Sequence, residues 1–297
     1  MVLLAVSGGP DSMFLLNKYK KRNIVVAHVN YHKRLDSNVD QNVVASFCHK
    51  HHIALEILDA PPITGGNFQD QARTIRYQFF KRVYHKHHCD QLLTAHHKDD
   101  FIETALMQQA SKRLPTQFGM AKKIRLWGMN VYRPLINTYY KHEIRAWVDK
   151  HNIKYTIDSS NSELQYQRNK IRNGLQAKTA KEKDDLFGWF VMANKILRKK
   201  HKRINKVYHK WEKSRFLLKK FRALERDKIH LVYKYVHHHF DNIKVSEPKL
   251  QSLIDFIEGG KGNVLFKLND HNAIKKENGI LKNIKTPVEN MANLRRP

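Results

Sequence analysis

The sequence predicts an α/β protein: a doubly wound parallel sheet, followed by basic linker helices and a small, mainly helical C-terminal domain. Three observations carry this. Apolar strand-like runs alternate strictly with amphipathic helix-like runs through Ala110. A glycine pair, in SGGPDS at Ser7–Ser12, stands directly between the first strand and the first helix. From about Glu163 the strand pattern fades and lysine-rich helical periodicity replaces it. Strand–helix alternation implies βαβ crossovers, hence parallel strands covered on both faces.

The elements follow in order. Val2–Val6 is a continuous apolar run, as a buried parallel strand requires. Met13–Tyr19 reads as helix and Ile24–Asn30 as the second strand. Val39–His52 is a helix with Val43, Val44 and Phe47 on one face. Leu55–Asp59 is the third strand, and Pro61, Pro62, Gly65 and Gly66 punctuate the loop after it. Phe68–His88 is a long helix with Ile75, Phe79 and Val83 four apart. Leu92–Ala95 is the fourth strand and Asp99–Ala110 the helix after it. Ligands of such sheets lie beyond the carboxyl ends of the strands, so SGGPDS, HVNYHKR (28–34) and AHHKDD (95–100) should share one rim.

This first domain spans 1–178. A basic helical linker, 179–223, has apolar positions at Leu186, Phe190, Ile196, Leu197, Trp211 and Leu217. The last domain, 224–297, carries helices around Ile229–His239 and Pro248–Ile257, then GGKG (259–262) and a weak strand VLFKL (264–268).

Charge narrows the partner. Fifty-five Lys and Arg face 27 Asp and Glu, a net +28, of which +18 falls in residues 151–297. Such an excess suits a polyanion, nucleic acid before membrane. No apolar run approaches the ~20 residues of a membrane span, and Met1 leads straight into a strand without a signal-peptide pattern. Cys48 and Cys89 form no CxxC, so free thiols in a reducing cytoplasm are expected.

SGGPDS is neither a Walker loop nor GxGxxG. Gly8 and Gly9 allow a tight turn that brings N–H groups to an anion. Ser7 and Ser12 add hydroxyls, and the following helix aims its positive end at the same spot. The charge of Asp11 opposes a phosphate there. It fits as a helix cap, or beside Mg²⁺ that shares the phosphates. In AHHKDDFIET, Asp100 and Glu103 are three apart and share a helix face. They suit an ammonium group, and one suits a general base. His96 and His97, adjacent on a strand end, point to opposite faces and make a poor chelating pair. Arg73 and Arg76 are three apart on the long helix; the fork of Arg76 suits a carboxylate or a phosphate, and structural salt bridging is an equal alternative for Arg73. Arg168 and Arg172, at i and i+4, suit phosphates of RNA or of a nucleotide.

SGGPDS resembles the PP-loop of the ATP pyrophosphatase superfamily, whose members bind ATP and release pyrophosphate on forming an adenylate. LLTAHHKDDFIET (92–104), YRPLI (132–136), DSSN (158–161) and RNKIRN (168–173) stand in the order found in the tRNA(Ile)-lysidine synthetase family. HVNYHKR and GNFQDQARTIRY (66–77) fit it more loosely, and the likeness covers about the first 175 residues. The resemblance implies an enzyme that uses ATP, Mg²⁺ and free L-lysine to modify the wobble cytidine of tRNA(Ile) with a CAU anticodon. It implies ATP binding by Ser7, Gly8, Gly9, Pro10, Asp11, Ser12 and His28, with Asp11 as the magnesium ligand. It implies lysine binding by Arg76, His96, Asp100 and Glu103, catalysis by Asp11, Asp100 and Arg172, and a place for Arg133 and Arg168 at the tRNA. Beyond the residues the likeness covers, charge alone marks the basic helix at Lys199, Lys200 and Lys202 for tRNA phosphates, a solvated face being its plainer role. No protein partner is implied.

The loop ASKRLPTQFGMAKK (110–123) departs from the family's glycine-richer stretch. HVNYHKR lacks its Gly-Leu, and Gln69 stands where glutamate is common. The chain resembles the short form, without an extra C-terminal domain. The other readings are weaker. A tRNA thiolase needs cysteines these two do not arrange, and a small-molecule amidating ligase does not need so basic a second half. An inert RNA-binding protein does not need Asp11, Asp100, Glu103 and Arg172 together.

Overall fold

The computed structural model of the protein describes residues 1–32, 37–63, 67–111, 115–157, 166–240, 243–260 and 264–285. The DSSN turn, Lys33–Arg34, Lys112–Leu114 and the end of GGKG lie outside them. The described chain divides into two units, Met1–Asn194 and Lys195–Pro297.

The first unit follows the predicted alternation: β1 (Val2–Ala5), α1 (Pro10–Tyr19), β2 (Ile24–Asn30), α2 (Ser37–Lys50), β3 (Ala54–Asp59), α3 (Phe68–Lys86), β4 (Gln91–Leu93) and α4 (Lys98–Ala110). A hairpin, β5 (Lys123–Leu126) and β6 (Met129–Tyr132), and the helices α5 (Lys141–Lys150) and α6 (Tyr166–Gln176) complete it. The six strands run in the order β3-β2-β1-β4-β6-β5, all parallel except the edge strand β5.

Neighbouring residues of β1 serve opposite faces, as pleating demands. Leu4, with Val26 and Leu93, packs on Phe14 of α1, Val44 of α2 and Ile144 and Val148 of α5. Leu3, with Val25 and Leu92, packs on Phe79, Phe80 and Val83 of α3. The strand order reverses between β1 and β4, which makes their carboxyl ends the switch point where ligands of such sheets bind.

The long helix α7 (Ala180–Lys213) runs through most of the expected helical linker over 179–223. The division falls inside α7, between Asn194 and Lys195. Phe190, with Leu186 and Phe187, joins Phe101, Ile102 and Leu175 in the core of the first unit. Tyr140 Oη donates to Asp184 at 2.7 Å, and Lys183 lies 3.5 Å from Asp99. These apolar and polar contacts make the first half of α7 part of the first unit.

The second unit holds the rest of α7, α8 (Leu218–Arg222), α9 (Lys228–His239) and α10 (Glu247–Glu258). Its core gathers Tyr208, Trp211, Phe221, Leu231 and Tyr235. It also holds a three-stranded antiparallel sheet, β7 (Leu265–Lys267), β8 (Asn272–Glu277) and β9 (Ile280–Lys285), where one weak strand is expected from the pattern. Among the described residues no helix is long and apolar enough to cross a membrane. Both cysteines are free and buried, and burial pushes the Cys48 thiol up to about 12.

Candidate active site

The SGGPDS loop joins β1 to α1 at the switch point. Gly8 has φ +92°, and an added Cβ would meet the Asp40 carbonyl oxygen at 3.1 Å, so both backbone and space require glycine. Gly9 is the N-cap of α1 and Pro10 opens the helix. Ser12 is buried and closes the loop on itself: its Oγ donates to the Gly9 carbonyl at 2.9 Å and accepts from the Ser7 N–H at 3.2 Å. Ser7 Oγ lies 3.3 Å from Ser12 Oγ on the exposed side. Ser12 is thus spent on shaping the loop, not on presenting a free hydroxyl.

Asp11 stands inside the first turn of α1, and Gly9, not Asp11, is its N-cap. Its Oδ1 is buried without a hydrogen-bond partner among the described residues. Its Oδ2 faces His97 Nε2 at 3.7 Å. A carboxylate oxygen left open beside a phosphate loop fits a hard cation such as Mg²⁺, which keeps most of its water and shares phosphate oxygens.

Four segments enclose one cavity of about 560 Å³ at this rim. Ser7, Gly9, Asp11 and Ser12 come from the loop, His28 and Tyr31 from β2 and its end, Gln69, Arg73 and Arg76 from α3, and Thr94, His96 and Asp100 from β4 and α4. Phe68, Tyr77 and Phe80 supply an apolar wall. Arg76 Nε donates to Tyr31 Oη at 3.1 Å, and the Arg73 guanidinium lies 4.8 Å over the Tyr77 ring. Both arginines are exposed as well as lining the cavity. His28 is buried, its Nδ1 2.9 Å from the Val6 carbonyl and its Nε2 without a partner among the described residues. Burial lowers its pKa. Burial also drives His96 down to about 4, against the pull of Asp100, so His96 is a neutral ring, its Nδ1 2.8 Å from Thr94 Oγ1.

His97, weighed in the sequence only as half of a poor chelating pair, has a role the spacing does not show. Its side chain is only 6% exposed. Nε2 lies 3.5 Å from Asp100 and 3.7 Å from Asp11, and Nδ1 lies 3.5 Å from Asp99. Burial opposes a charge on this ring, but the carboxylates of Asp100, Asp11 and Asp99 outweigh it and raise its pKa. His97 thus sits between the carboxylate of the glycine loop and those at the start of α4. Asp100 also accepts from the His97 N–H at 2.9 Å, so it caps its own helix while facing the cavity. Among the described residues no cluster of three or more His, Cys, Asp or Glu is arranged to hold a metal.

The remaining expected residues fall elsewhere. Glu103 is buried and Arg172 Nε donates to it at 3.3 Å; neither lines the cavity, and the pair ties α6 to α4. Arg133, expected on the RNA, is instead buried, and its Nη1 donates to the Ala121 carbonyl at 2.6 Å. It serves the loop before β5 and presents no surface to a phosphate. The side chain of Arg168 lies outside the described residues. Lys199 and Lys202 are exposed on α7 in the second unit, whereas Lys200 is half-buried beside His230. No described residue of the divergent 110–123 loop lines the cavity. Phe118 is held there by Asn194, whose side chain accepts from its N–H at 2.8 Å and donates to its carbonyl at 3.0 Å.

A parallel α/β sheet with an anion-cradling glycine loop at its switch point and an acidic, arginine-rimmed cavity defines a PP-loop nucleotide-binding domain. The family model described as a PP-loop domain matches residues 1–179. The tRNA(Ile)-lysidine synthase of Mycoplasmopsis pulmonis is 40% identical over 96% of this chain and 100% of that protein. That of Mesomycoplasma hyopneumoniae is 35% identical over 93% of each. Among solved structures, a U34-tRNA thiolase from Methanococcus maripaludis shares the fold, with a TM-score of 0.53 at 18% identity over 65% of this chain and 72% of that one. The chain belongs to the tRNA(Ile)-lysidine synthase family.

Proposed function

We propose that this protein is an ATP-dependent ligase that joins free L-lysine to the wobble cytidine of tRNA(Ile) with a CAU anticodon. The observation that carries this reading is the convergence, on one cavity, of the SGGPDS loop, the Asp100 carboxylate and the arginines of α3. Relatives of nearly equal length that carry the name tRNA(Ile)-lysidine synthase support it.

In this reading the base oxygen at ring position two attacks the α-phosphorus of ATP and pyrophosphate leaves. The lysine side-chain ammonium then gives up a proton, the freed amine attacks the ring carbon at position two, and AMP departs with the oxygen. The loop N–H groups and the end of α1 hold the leaving pyrophosphate. Asp11 would hold a Mg²⁺ ion beside the loop, and that ion would offset the charge of the phosphates. Asp100 receives the lysine ammonium and takes the proton, with His97 keeping the carboxylate in place. Arg76 receives the lysine carboxylate, and the neutral His96 lines its path. Glu103 and Arg172 act as a pair that fixes α6 against α4.

The test follows the oxygen. With a heavy-oxygen label at position two of the wobble cytidine, the label must appear in AMP. Label in free water or retained on the base would refute the proposed order of bond breaking.

A further inference from the structure

The start of α4, which carries Asp100, is gripped by residues of α5 and α7 that lie outside the cavity lining. From α5, the Lys141 N–H donates to Asp99 at 2.8 Å. From α7, two consecutive residues meet two consecutive residues of α4 in crossed ion pairs. Lys183 lies 3.5 Å from Asp99, and Asp184 lies 3.5 Å from Lys98. Tyr140 Oη holds the same Asp184 oxygen, and the Lys98 ammonium lies 4.3 Å over the Tyr140 ring. The two pairs differ in burial. The side chains of Lys183 and Asp99 are 11% and 18% exposed, whereas that of Asp184 is 60% exposed. Water screens the outer pair and leaves it little to contribute. A charge as buried as that of Lys183 needs a partner, and Asp99 supplies it. Local chemistry sets Lys183 in place. Glu182 Oε2 accepts from the Thr179 N–H at 2.8 Å, and the Glu182 N–H donates to Thr179 Oγ1 at 3.2 Å, a capping box that fixes the start of α7.

We propose that Lys183 is a positioning residue for lysine transfer, acting through Asp99 and His97 on Asp100. The inference rests on the proposed reaction, in which Asp100 receives the lysine ammonium, and adds what keeps that carboxylate aligned. Three carboxylates surround His97: Asp99 on its Nδ1 side, Asp100 and Asp11 on its Nε2 side. The Lys183 ammonium offsets the first of them. Without it the full charge of Asp99 bears on His97 and draws the ring away from Asp100. Asp100 then keeps its hydrogen bond from the His97 N–H but loses the ring beside it. Asp11 is carried by α1, which Lys183 does not touch, so the lysine side of the cavity suffers before the ATP side.

Steady-state kinetics of lysidine formation by the full chain test this, with KM for lysine and KM for ATP read separately. Lys183→Met keeps an apolar stem and removes the charge. It should raise KM for lysine about tenfold, because a small misplacement of a binding group costs up to about 100-fold. KM for ATP should stay within about twofold, the scatter of uncoupled sites. A simple loss of folded protein would instead lower kcat and move neither KM. Lys183→Arg, which keeps the charge, should restore most of the lysine affinity. The sharper arm is suppression. In Lys183→Met with Asp99→Asn the unbalanced charge is gone and the amide oxygen still accepts the Lys141 N–H, so KM for lysine should return to within about twofold. A pair that merely glued α7 to α4 would leave this double variant no better than Lys183→Met. Asp184→Asn, which removes the outer charge, is the control and should leave KM for lysine unchanged. Where Lys183→Met does not fold, Lys183→Gln takes its place with the same expectations. An unchanged KM for lysine, or a double variant as impaired as the single one, overturns the proposal. The ring-nitrogen resonance of His97, identified by its loss in His97→Gln, gives a readout that needs no reaction. If the unaltered protein forms no lysidine, the proposed reaction fails and this resonance decides: a shift in Lys183→Met that Asp99→Asn reverses keeps the link from Lys183 to His97, and no shift overturns it.

Discussion

Gly8→Ala tests the phosphate loop at its tightest point. Its φ of +92° disfavours any side chain, at a cost of about 1–2 kcal/mol. The new Cβ would also stand 3.1 Å from the Asp40 carbonyl oxygen and 3.3 Å from its Cα, both backbone-anchored in α2. Forcing α2 away adds about 1–3 kcal/mol, by analogy with overpacked cores. The expected loss is therefore about 2–5 kcal/mol, with ATP affinity falling as the loop tilts. Two other glycines separate the terms. Gly128 also has positive φ, +82°, but nothing within 4 Å, so Gly128→Ala should cost only the first part, about 1–2 kcal/mol. Gly188 sits inside α7 with open space around it, and Gly188→Ala should stabilise by about 0.5–1 kcal/mol. Urea unfolding followed by tryptophan fluorescence reads all three, because Trp127, Trp147 and Trp189 lie in the first unit. A Gly8→Ala protein no less stable than Gly128→Ala would refute the argument that Asp40 leaves no room.

Asp100→Asn should cut lysine transfer by about 10²–10⁴-fold, the range for a lost acid–base group, while ATP affinity stays within a few fold. The amide oxygen can still accept the His97 N–H, so the start of α4 survives; unchanged transfer would remove Asp100 from the chemistry. His96 stays neutral in the fold down to about pH 4 but protonates near 6.5 when unfolded, so stability should fall as pH drops through that window. His28, also lowered by burial, adds in the same direction. His96→Gln should flatten this limb of a stability–pH curve, and an identical limb would contradict the assignment. Asn194→Ala strips two hydrogen bonds from the Phe118 backbone and should cost about 1–3 kcal/mol, read by the same urea transition. A loss below about 0.5 kcal/mol would show that water replaces them.

The doubly wound sheet was legible because each buried parallel strand is a short apolar run closed by a turn, as IVVAHVN is. The hairpins were less so, for different reasons. The β8–β9 turn carries Asn278-Gly279, both with positive φ, the ordinary signal of a two-residue turn, diluted by the lysines around it. The β5–β6 turn puts Trp127, φ +54°, where Asn is usual, so its sequence carries no such signal; the ring finds a stacking partner in Tyr77. The rim itself followed from strand order, and the cavity gathers Asp11, Arg76, His96 and Asp100 as their motifs suggest. His97 was not legible, because its role depends on Asp11, eighty-six residues earlier in the chain, reaching it across the switch point. Arg133 shows the reverse: a basic residue in a basic protein looks like an RNA contact, and only burial reveals that it serves a loop carbonyl.

The most direct measurement incubates the protein with ATP, labelled L-lysine and tRNA(Ile) bearing either a C or a U at the wobble position. The account predicts label on the C-bearing tRNA alone, dependent on ATP, with one AMP and one pyrophosphate released per lysine joined. ATP-dependent label on both tRNAs, on neither, or on a small molecule without tRNA would contradict it.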